Sequence, residues 1–169
     1  MGIRMGGNTI PLEHESKSSQ LKGQPGSSVS MPSLSIYTYT FNIPQSVIDE
    51  NGHVNNVAYV GWMQEAAILH GEAVGYKPAE SASWFAREHH IKYFLPAFLG
   101  DEIEVRTWIA EWRRVRLHRK YEFTRLSDGN LLAEGDTDWV HVDTKSGKPI
   151  SVPNEVQVLF PAVPEQPGL

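Results

Sequence analysis

A cluster of polar side chains between residues 49 and 56 has the composition of a hydrolytic site. It contains two carboxylates, an imidazole and three carboxamides, carried by Asp49, Glu50, Asn51, His53, Asn55 and Asn56. A carboxylate can act as a general base on water or attack directly as a nucleophile. The pattern therefore predicts attack on a carbonyl carbon, and Asp49 is the candidate for starting it.

An apolar segment with helical spacing follows the cluster directly. Its apolar positions recur at steps of three and four residues: Tyr59, Trp62, Met63, Ala66, Leu69 and Ala73. Asn55 or Asn56 can cap this helix by accepting a hydrogen bond from its first N–H groups. Free backbone N–H groups and the helix dipole favour negative charge at a helix start, so the backbone near Asn55 and Asn56 is a candidate oxyanion hole.

The same residues also fit a purely structural role. Asp-x-Asn-Gly is a common turn sequence, and paired asparagines before an apolar segment can serve only as a cap. A turn does not explain, however, why His53 stands between Gly52 and the helix. The whole cluster therefore favours chemistry more than its separate parts do.

The spacing of this stretch also resembles a known family signature. Asp49-x-x-Gly52, followed by the segment 53–62 with sequence HVNNVAYVGW, resembles hotdog-fold thioesterases of the 4-hydroxybenzoyl-CoA thioesterase type. The segment is especially similar to the acyl-ACP thioesterases, whose catalytic Asp-x-Asn-x-His pattern is matched by Asp49, Asn51 and His53. The resemblance implies hydrolysis of an acyl or aroyl thioester of CoA or acyl carrier protein, without a metal or organic cofactor. Asn51 and His53 would orient Asp49 or the water.

Two positions depart from the patterns of these families. Val47 stands where relatives of the 4-hydroxybenzoyl-CoA type often carry a second Asp, and Pro96 lies near the place of a further downstream acid in the acyl-ACP enzymes. Some hotdog relatives use a glutamate on the helix as the base. Glu65 is therefore a candidate for a secondary catalytic group, or for a polar core residue paired with His53 or Asn51.

Substrate-binding candidates come from two further groups of residues. Five aromatic rings suit an apolar acyl or aryl pocket, although most of them fit an ordinary core as well: Tyr59, Trp62, Trp84, Phe85 and Tyr93. A basic run contains Arg113, Arg114, Arg116, Arg119 and Lys120. It is either a solvated strand face or a site for the phosphates of CoA or phosphopantetheine, or for an acidic carrier protein, with Arg114 and Arg116 as the candidates.

The remaining pattern predicts the elements that position these residues. Alternating or β-branched segments predict strands at 35–42, 84–93, 102–111, 114–126 and 131–142, and a short helix is expected within 153–160. The order β-α-β-β-β-β predicts an α+β fold in which a curved antiparallel sheet wraps around a long helix, the hotdog arrangement. We expect a single domain at 35–162, a C-terminal tail at 163–169, and a disordered N-terminal tail at 1–34 that is a tag or an upstream extension.

Composition excludes several classes of protein. The 169 residues contain no cysteine, which excludes disulfides, a thiol nucleophile and thiolate metal sites. The formal charge of −5 gives no reason to expect nucleic acid, and no apolar segment suggests a membrane span, so a cytoplasmic protein is expected. Serine hydrolase and zinc protease motifs are missing as well.

The expected fold also predicts an oligomer, and two alternative functions remain open. A single hotdog subunit exposes a helix flank and a sheet edge, so a homodimer or homotetramer is expected, with active sites at the subunit interface. One rival is a hotdog hydratase acting on enoyl thioesters, whose usual Asn-Pro-x-His-x-Asp segment is missing here. The other is a non-catalytic module that binds acyl thioesters.

Overall fold

The computed structural model describes residues 33–165 as a five-stranded sheet with one long helix. The strands are β1 (Ile36–Asn42), β2 (Ala82–Tyr93), β3 (Glu102–Trp112), β4 (Arg116–Arg125) and β5 (Leu131–Asp143). The long helix, α1 (Asn56–Ala73), lies between β1 and β2 in the chain, and a short helix, α2 (Asn154–Gln157), follows β5. The predicted element order and α+β class are confirmed.

All neighbouring strands of the sheet are antiparallel. Their order is β1-β3-β4-β5-β2, so β1 and β2 form the two edges. The predicted alternation holds in β3, where Ile103, Val105, Thr107 and Ile109 are buried on the face that packs against α1. Below, this face is called the inner face of the sheet.

Helix α1 begins where its sequence predicts, but its buried stripe turns along its length. Tyr59, Trp62, Met63 and Ala66 are buried as expected, whereas in the last turns the buried residues are His70 and Gly71 instead of Leu69 and Ala73. A straight helix drifts by about 20° per heptad relative to a strict seven-residue repeat, so its contact face rotates over 18 residues.

The helix approaches the sheet closely at one glycine. A Cβ atom on Gly135 of β5 would lie 3.0 Å from the Met63 sulfur and 3.1 Å from the His90 carbonyl oxygen. Because Gly135 has no side chain, the Met63 side chain can pack directly against the backbone of β5. This contact brings the middle of α1 close to the sheet.

Both ends of the described segment are bound to the domain. The Leu34 N–H donates to the Leu159 carbonyl, and the Val163 N–H donates to the carbonyl of Ile109 on β3. Leu34 and Val163, which the sequence analysis assigns to the tails, thus lie against the folded part; residues 1–32 of the predicted tail are outside the described segment. Within residues 33–165 there is no helix with the length and apolar character needed to cross a membrane.

Candidate active site

The polar cluster forms a tight turn that ends at the start of α1. The Asp49 N–H donates to the His53 carbonyl at 3.0 Å, and the Gly52 N–H donates to the Asp49 carbonyl at 3.0 Å. Gly52 has φ of +80°, a left-handed conformation in which glycine carries no steric cost. Gly52 therefore allows the tight turn that directs the chain from Asp49 to the start of α1.

The turn holds the Asp49 carboxylate in place through a backbone group. Its Oδ1 atom accepts a hydrogen bond from the Asn51 N–H at 2.8 Å, as Asp commonly does at the start of a turn. Asn51 thus contacts Asp49 through its backbone N–H, and the residue is exposed. The Nδ1 atom of His53 lies 3.4 Å from the Val54 carbonyl, and its ring is half-buried.

The two asparagines at the helix start differ in their backbone bonds. Asn55 is the N-cap, because its side-chain oxygen accepts from the Val57 N–H at 2.9 Å. The Asn55 N–H donates to the Val47 carbonyl at 2.8 Å and is therefore occupied. The Asn56 N–H, at the first helical position, forms no hydrogen bond within residues 33–165, so of the two expected oxyanion donors it is the free one.

A cleft of about 200 Å³ lies beside this free N–H group. Its walls are the end of the turn (His53, Val54), the first turns of α1 (Asn56, Tyr59) and the segment 93–97. The Tyr93 hydroxyl donates to the Asn56 carbonyl at 3.1 Å, which ties β2 to the helix start. Burial raises the pKa of Tyr59 to about 12, so its hydroxyl stays protonated at neutral pH.

An arginine holds the outer wall of the cleft. The Arg125 guanidinium on β4 donates to the Pro96 carbonyl and forms ion pairs with Asp101 at 3.0 Å and Asp128 at 2.9 Å. Asp101 in turn accepts from the Phe98 N–H at 2.9 Å. These bonds fix the loop that follows β2, so the wall is built by long-range contacts that the local sequence does not reveal.

The structure separates Glu65 and Trp62 from the polar turn. The Tyr39 hydroxyl lies 3.5 Å from the Glu65 carboxylate, on the side of α1 that faces β1. Trp62 packs among aromatic rings of the core, 4.9 Å from Phe41 and 5.0 Å from Tyr59 between ring centroids. Of the five aromatic pocket candidates, Tyr59 and Tyr93 line the cleft, whereas Trp62, Trp84 and Phe85 do not.

The basic run divides between the surface and the interior. Arg114 and Arg116 lie at the turn between β3 and β4, at the opposite end of β3 from the cleft wall near Ala97. Within one chain they are therefore distant from His53. Arg119 is only 4% exposed and points to the inner face of the sheet, so it does not belong to the surface run.

Sequence reasoning named Tyr93 as a pocket candidate but missed the segment that follows it. Tyr93, Phe94 and Leu95 line the cleft and are each more than 40% exposed, and Phe98 and Leu99 extend the same apolar surface. The signal was available, because seven residues at 93–99 contain five large apolar or aromatic side chains in a loop. An exposed apolar patch of this kind often marks a binding site.

Several known proteins with similar sequence or structure are named as thioesterases. L-carnitine dehydrogenase/betainyl-CoA thioesterase of Ruegeria pomeroyi is 28% identical over 139 residues, which covers 79% of this chain but 28% of that protein. The chain thus spans little more than a quarter of that curated relative.

Solved structures show the same fold. A 1,4-dihydroxy-2-naphthoyl-CoA thioesterase from Synechocystis superposes with a TM-score of 0.70 at 20% identity, covering 74% of this chain and 95% of that one. The 12:0-ACP thioesterase from Umbellularia californica gives a TM-score of 0.66 at 21% identity, covering 72% and 48%.

The family assignment rests on the sequence of the domain itself. The model of the thioesterase-like superfamily matches residues 43–160, which include the polar turn, α1 and the cleft wall. Because this match covers more than half of the 169 residues, the chain belongs to the thioesterase-like superfamily.

Proposed function

We propose that this protein hydrolyses an acyl or aroyl thioester of CoA or acyl carrier protein at the cleft beside the start of α1. The observation that carries the proposal is the unpaired Asn56 N–H at the end of an 18-residue helix, next to a cleft lined by His53. Such an end combines a free donor with the positive pole of the helix dipole. It suits the oxyanion that forms when a thioester carbonyl is attacked.

In the proposed reaction, Asp49 supplies the base or the nucleophile. As a base, its carboxylate takes a proton from water while the water oxygen bonds to the thioester carbon, and the carbonyl oxygen becomes an oxyanion beside Asn56. As a nucleophile, it forms a mixed anhydride that water then hydrolyses. In either route the C–S bond breaks, the thiolate leaves and takes up a proton, and a free acid remains.

The geometry of the turn supports this role for Asp49. The Asn51 N–H bonds to Oδ1, and no hydrogen bond within residues 33–165 is made to Oδ2, so one carboxylate oxygen remains available. Asp49 and Asn51 do not themselves line the cleft, whose lining begins at His53, four residues after Asp49. We therefore propose that His53 orients the water or the thioester carbonyl, between the base and the helix end.

We also propose that the working unit is a homodimer whose second subunit completes each cleft. Five consecutive residues of edge strand β2, 86–90, are exposed, and α1 carries apolar side chains around its circumference, with Val57 74% exposed. A helix that is apolar on all sides is normally covered on all sides. A partner could also bring Arg114 and Arg116 towards the bound CoA. The cytoplasmic location remains a prediction from composition.

Thiol release separates this proposal from its rivals. Purified wild-type protein, Asp49→Asn and Glu50→Gln are given acyl-CoA and aroyl-CoA esters, including betainyl-CoA, and the free thiol is measured. We expect wild-type turnover that falls by roughly 100-fold or more in Asp49→Asn, the scale of losing a general base. Glu50→Gln is the matched control, because it removes the neighbouring carboxylate of the same turn.

Other outcomes would point elsewhere. Equal turnover in wild type and Asp49→Asn would retain the hydrolysis and eliminate Asp49 as its base. A hydrated acyl thioester without thiol release would identify a hydratase. If neither CoA esters nor acyl carrier protein esters released thiol, the protein would be a binding module.

A further inference from the structure

One wall of the cleft is apolar and lies outside the helices and strands. It is formed by the segment 94–97, which follows β2 directly, and we call this segment the apolar wall. Its first two side chains, Phe94 and Leu95, are exposed and line the cleft. Among the described residues, no Asp or Glu lines the cleft. An acyl group that lies beside His53 would therefore meet apolar carbon on this side.

The side of the cleft that faces the core is closed. Val54, Ala97 and Phe123 are each 3% exposed or less and belong to one tightly packed cluster. Protein interiors are packed as densely as crystals of small organic molecules, so an acyl chain does not pass between the residues of this cluster. An acyl group in the cleft therefore has the exposed side chains of Phe94 and Leu95 as its contact surface.

The apolar wall has few backbone hydrogen bonds of its own. Its first two N–H groups, those of Phe94 and Leu95, both donate to the Leu132 carbonyl on β5, at 2.8 and 3.2 Å. The next residue, Pro96, has no N–H group, and its carbonyl accepts from the Arg125 guanidinium. Beyond Leu95, the position of the wall therefore depends on a side chain of β4.

The Arg125 guanidinium binds three separate segments with its three nitrogens. Nη2 donates to the Pro96 carbonyl, Nε to the Asp101 carboxylate at 3.0 Å and Nη1 to the Asp128 carboxylate at 2.9 Å. The guanidinium carbon also lies 5.9 Å from the centre of the Phe98 ring. A planar guanidinium presents N–H donors in several fixed directions, and this arrangement uses that property. No single-donor side chain could hold all three segments.

The apolar wall is also bonded to the polar turn. The Ala97 carbonyl accepts from the Val54 N–H at 2.9 Å, and Val54 stands between His53 and the N-cap residue Asn55. Arg125 fixes the residue that precedes Ala97. Its bonds therefore set the distance between the apolar wall and the groups at the start of α1.

We propose that the apolar wall binds the acyl group of the substrate and that Arg125 is the positioning residue that holds this wall in place. The inference rests on the proposed thioesterase function and specifies its substrate class, which is thioesters of apolar acyl groups long enough to lie along Phe94 and Leu95. Arg125 acts through the Pro96 carbonyl and does not touch the substrate. Shorter acyl groups do not reach the wall and gain nothing from it.

Two substrates that differ only in acyl length test the proposal. Thiol release is compared for hexanoyl-CoA and acetyl-CoA, because the hexanoyl group adds four methylene groups that can cover apolar surface. For the wild type we expect kcat/KM to favour hexanoyl-CoA by about tenfold or more. The ratio of the two values is independent of the amount of folded enzyme. A variant that is only less stable therefore keeps the wild-type ratio.

Removing the guanidinium should remove this preference. Arg125→Met keeps an unbranched side chain but no donor, so the Pro96 carbonyl loses its partner and the wall is released. We expect the ratio to fall to about threefold or less. Arg106→Met is the matched control, because Arg106 also forms a cross-strand ion pair, with Glu122 at 2.9 Å, and does not line the cleft. This control should keep the wild-type ratio.

A milder variant covers the case in which Arg125→Met does not fold. Asp101→Asn keeps an oxygen that can accept from the Phe98 N–H, but it removes a negative charge that orients the Arg125 guanidinium. The ratio should fall in this variant as well, by a smaller factor than in Arg125→Met. An unchanged ratio would then overturn the inference.

Failure of this inference can be distinguished from failure of the proposed function. Thiol release without a preference for hexanoyl-CoA, with the same preference in wild type and Arg125→Met, or with an equal fall in Arg106→Met, would overturn the inference and leave the thioesterase proposal standing. If no ester released thiol, the proposed function would fail, and the affinities of the thioethers S-hexyl-CoA and S-ethyl-CoA would decide. Tighter binding of the hexyl compound by wild type, lost in Arg125→Met, would retain the apolar wall as an acyl-binding surface. Any other result, including no binding, would overturn it.

Discussion

The His70 imidazole is buried between a cation and a backbone carbonyl. Its Nε2 atom contacts the Leu34 carbonyl oxygen at 2.7 Å, and its Nδ1 atom faces the Arg119 guanidinium. The ring must therefore be neutral, with the hydrogen on Nε2 and the lone pair on Nδ1. Burial, and then the charge of Arg119, lowers the pKa of His70 from 6.5 to about 4.

This environment predicts how stability depends on pH. Between pH 6.5 and about 4 the unfolded chain binds a proton at residue 70 that the folded protein does not bind. His70 should therefore contribute stability above pH 6.5 that is lost as the pH falls towards 4, with a slope of up to about 1.4 kcal/mol per pH unit.

Urea unfolding of wild type and His70→Gln across this range measures the effect. The glutamine can donate to Leu34 and accept from Arg119, but it does not titrate. The free energy of unfolding should fall more steeply with decreasing pH in the wild type than in the variant. Parallel curves would show that the ring takes up its proton as easily in the folded protein as in the unfolded chain.

Single residues also show where sequence reasoning ends. The Asn55 cap could be predicted, because a cap and its helix are neighbours in the chain. The alternation of β4 places Arg119 on the same face as Leu117 and Tyr121, but its partners could not be predicted, since His70 is 49 residues away. The sequence analysis names Asn51 as a residue that orients Asp49 or the water, but it does not show that the contact with Asp49 is made by the Asn51 backbone N–H.

At the scale of elements, hydrophobic periodicity and the turn residues between segments were sufficient to predict most of the helices and strands. The strands β3, β4 and β5 alternate buried and half-buried residues along most of their length, and the predicted bounds differ from the observed ones by two residues or fewer. The cleft wall at 94–97 was not predicted, because it depends on Arg125 reaching across from β4. Local periodicity gives the elements, while the site depends on how they meet.

The start of α1 provides a prediction about one element. Asn55→Ala removes the side-chain acceptor of the Val57 N–H, and it should lower the free energy of unfolding by about 1 kcal/mol. Asn56→Ala is the matched control, because that side chain makes no capping bond and alanine favours a helix. Urea unfolding of both variants measures the difference. If Asn56→Ala were the more destabilising change, the cap would have been assigned to the wrong asparagine.

The whole molecule presents two sheet edges, and they are not equivalent. β1 has 7 residues, whereas β2 has 12, with an exposed run at 86–90. A long uncovered edge strand offers free N–H and C=O groups to another chain. The side of α1 opposite its buried residues also leaves Val57 and Ile68 exposed, at 74% and 41%. Pairing of two β2 strands would cover the edge and bring the two helix flanks together.

A proline at the bulge of β2 tests this assembly. Arg87 has no partner in the register with β5, because the pairing shifts between Ala86 and Glu88, so a proline there spares the sheet within the chain. Arg87→Pro should convert a dimer to a monomer in sedimentation velocity and lower thiol release, since each cleft would lose its second wall. Arg87→Ala removes the same side chain but keeps the N–H, and it should remain dimeric and active. If Arg87→Pro stayed dimeric, or if the wild type sedimented as a monomer, β2 would not be the interface, and the cleft of a single chain would have to carry out the reaction.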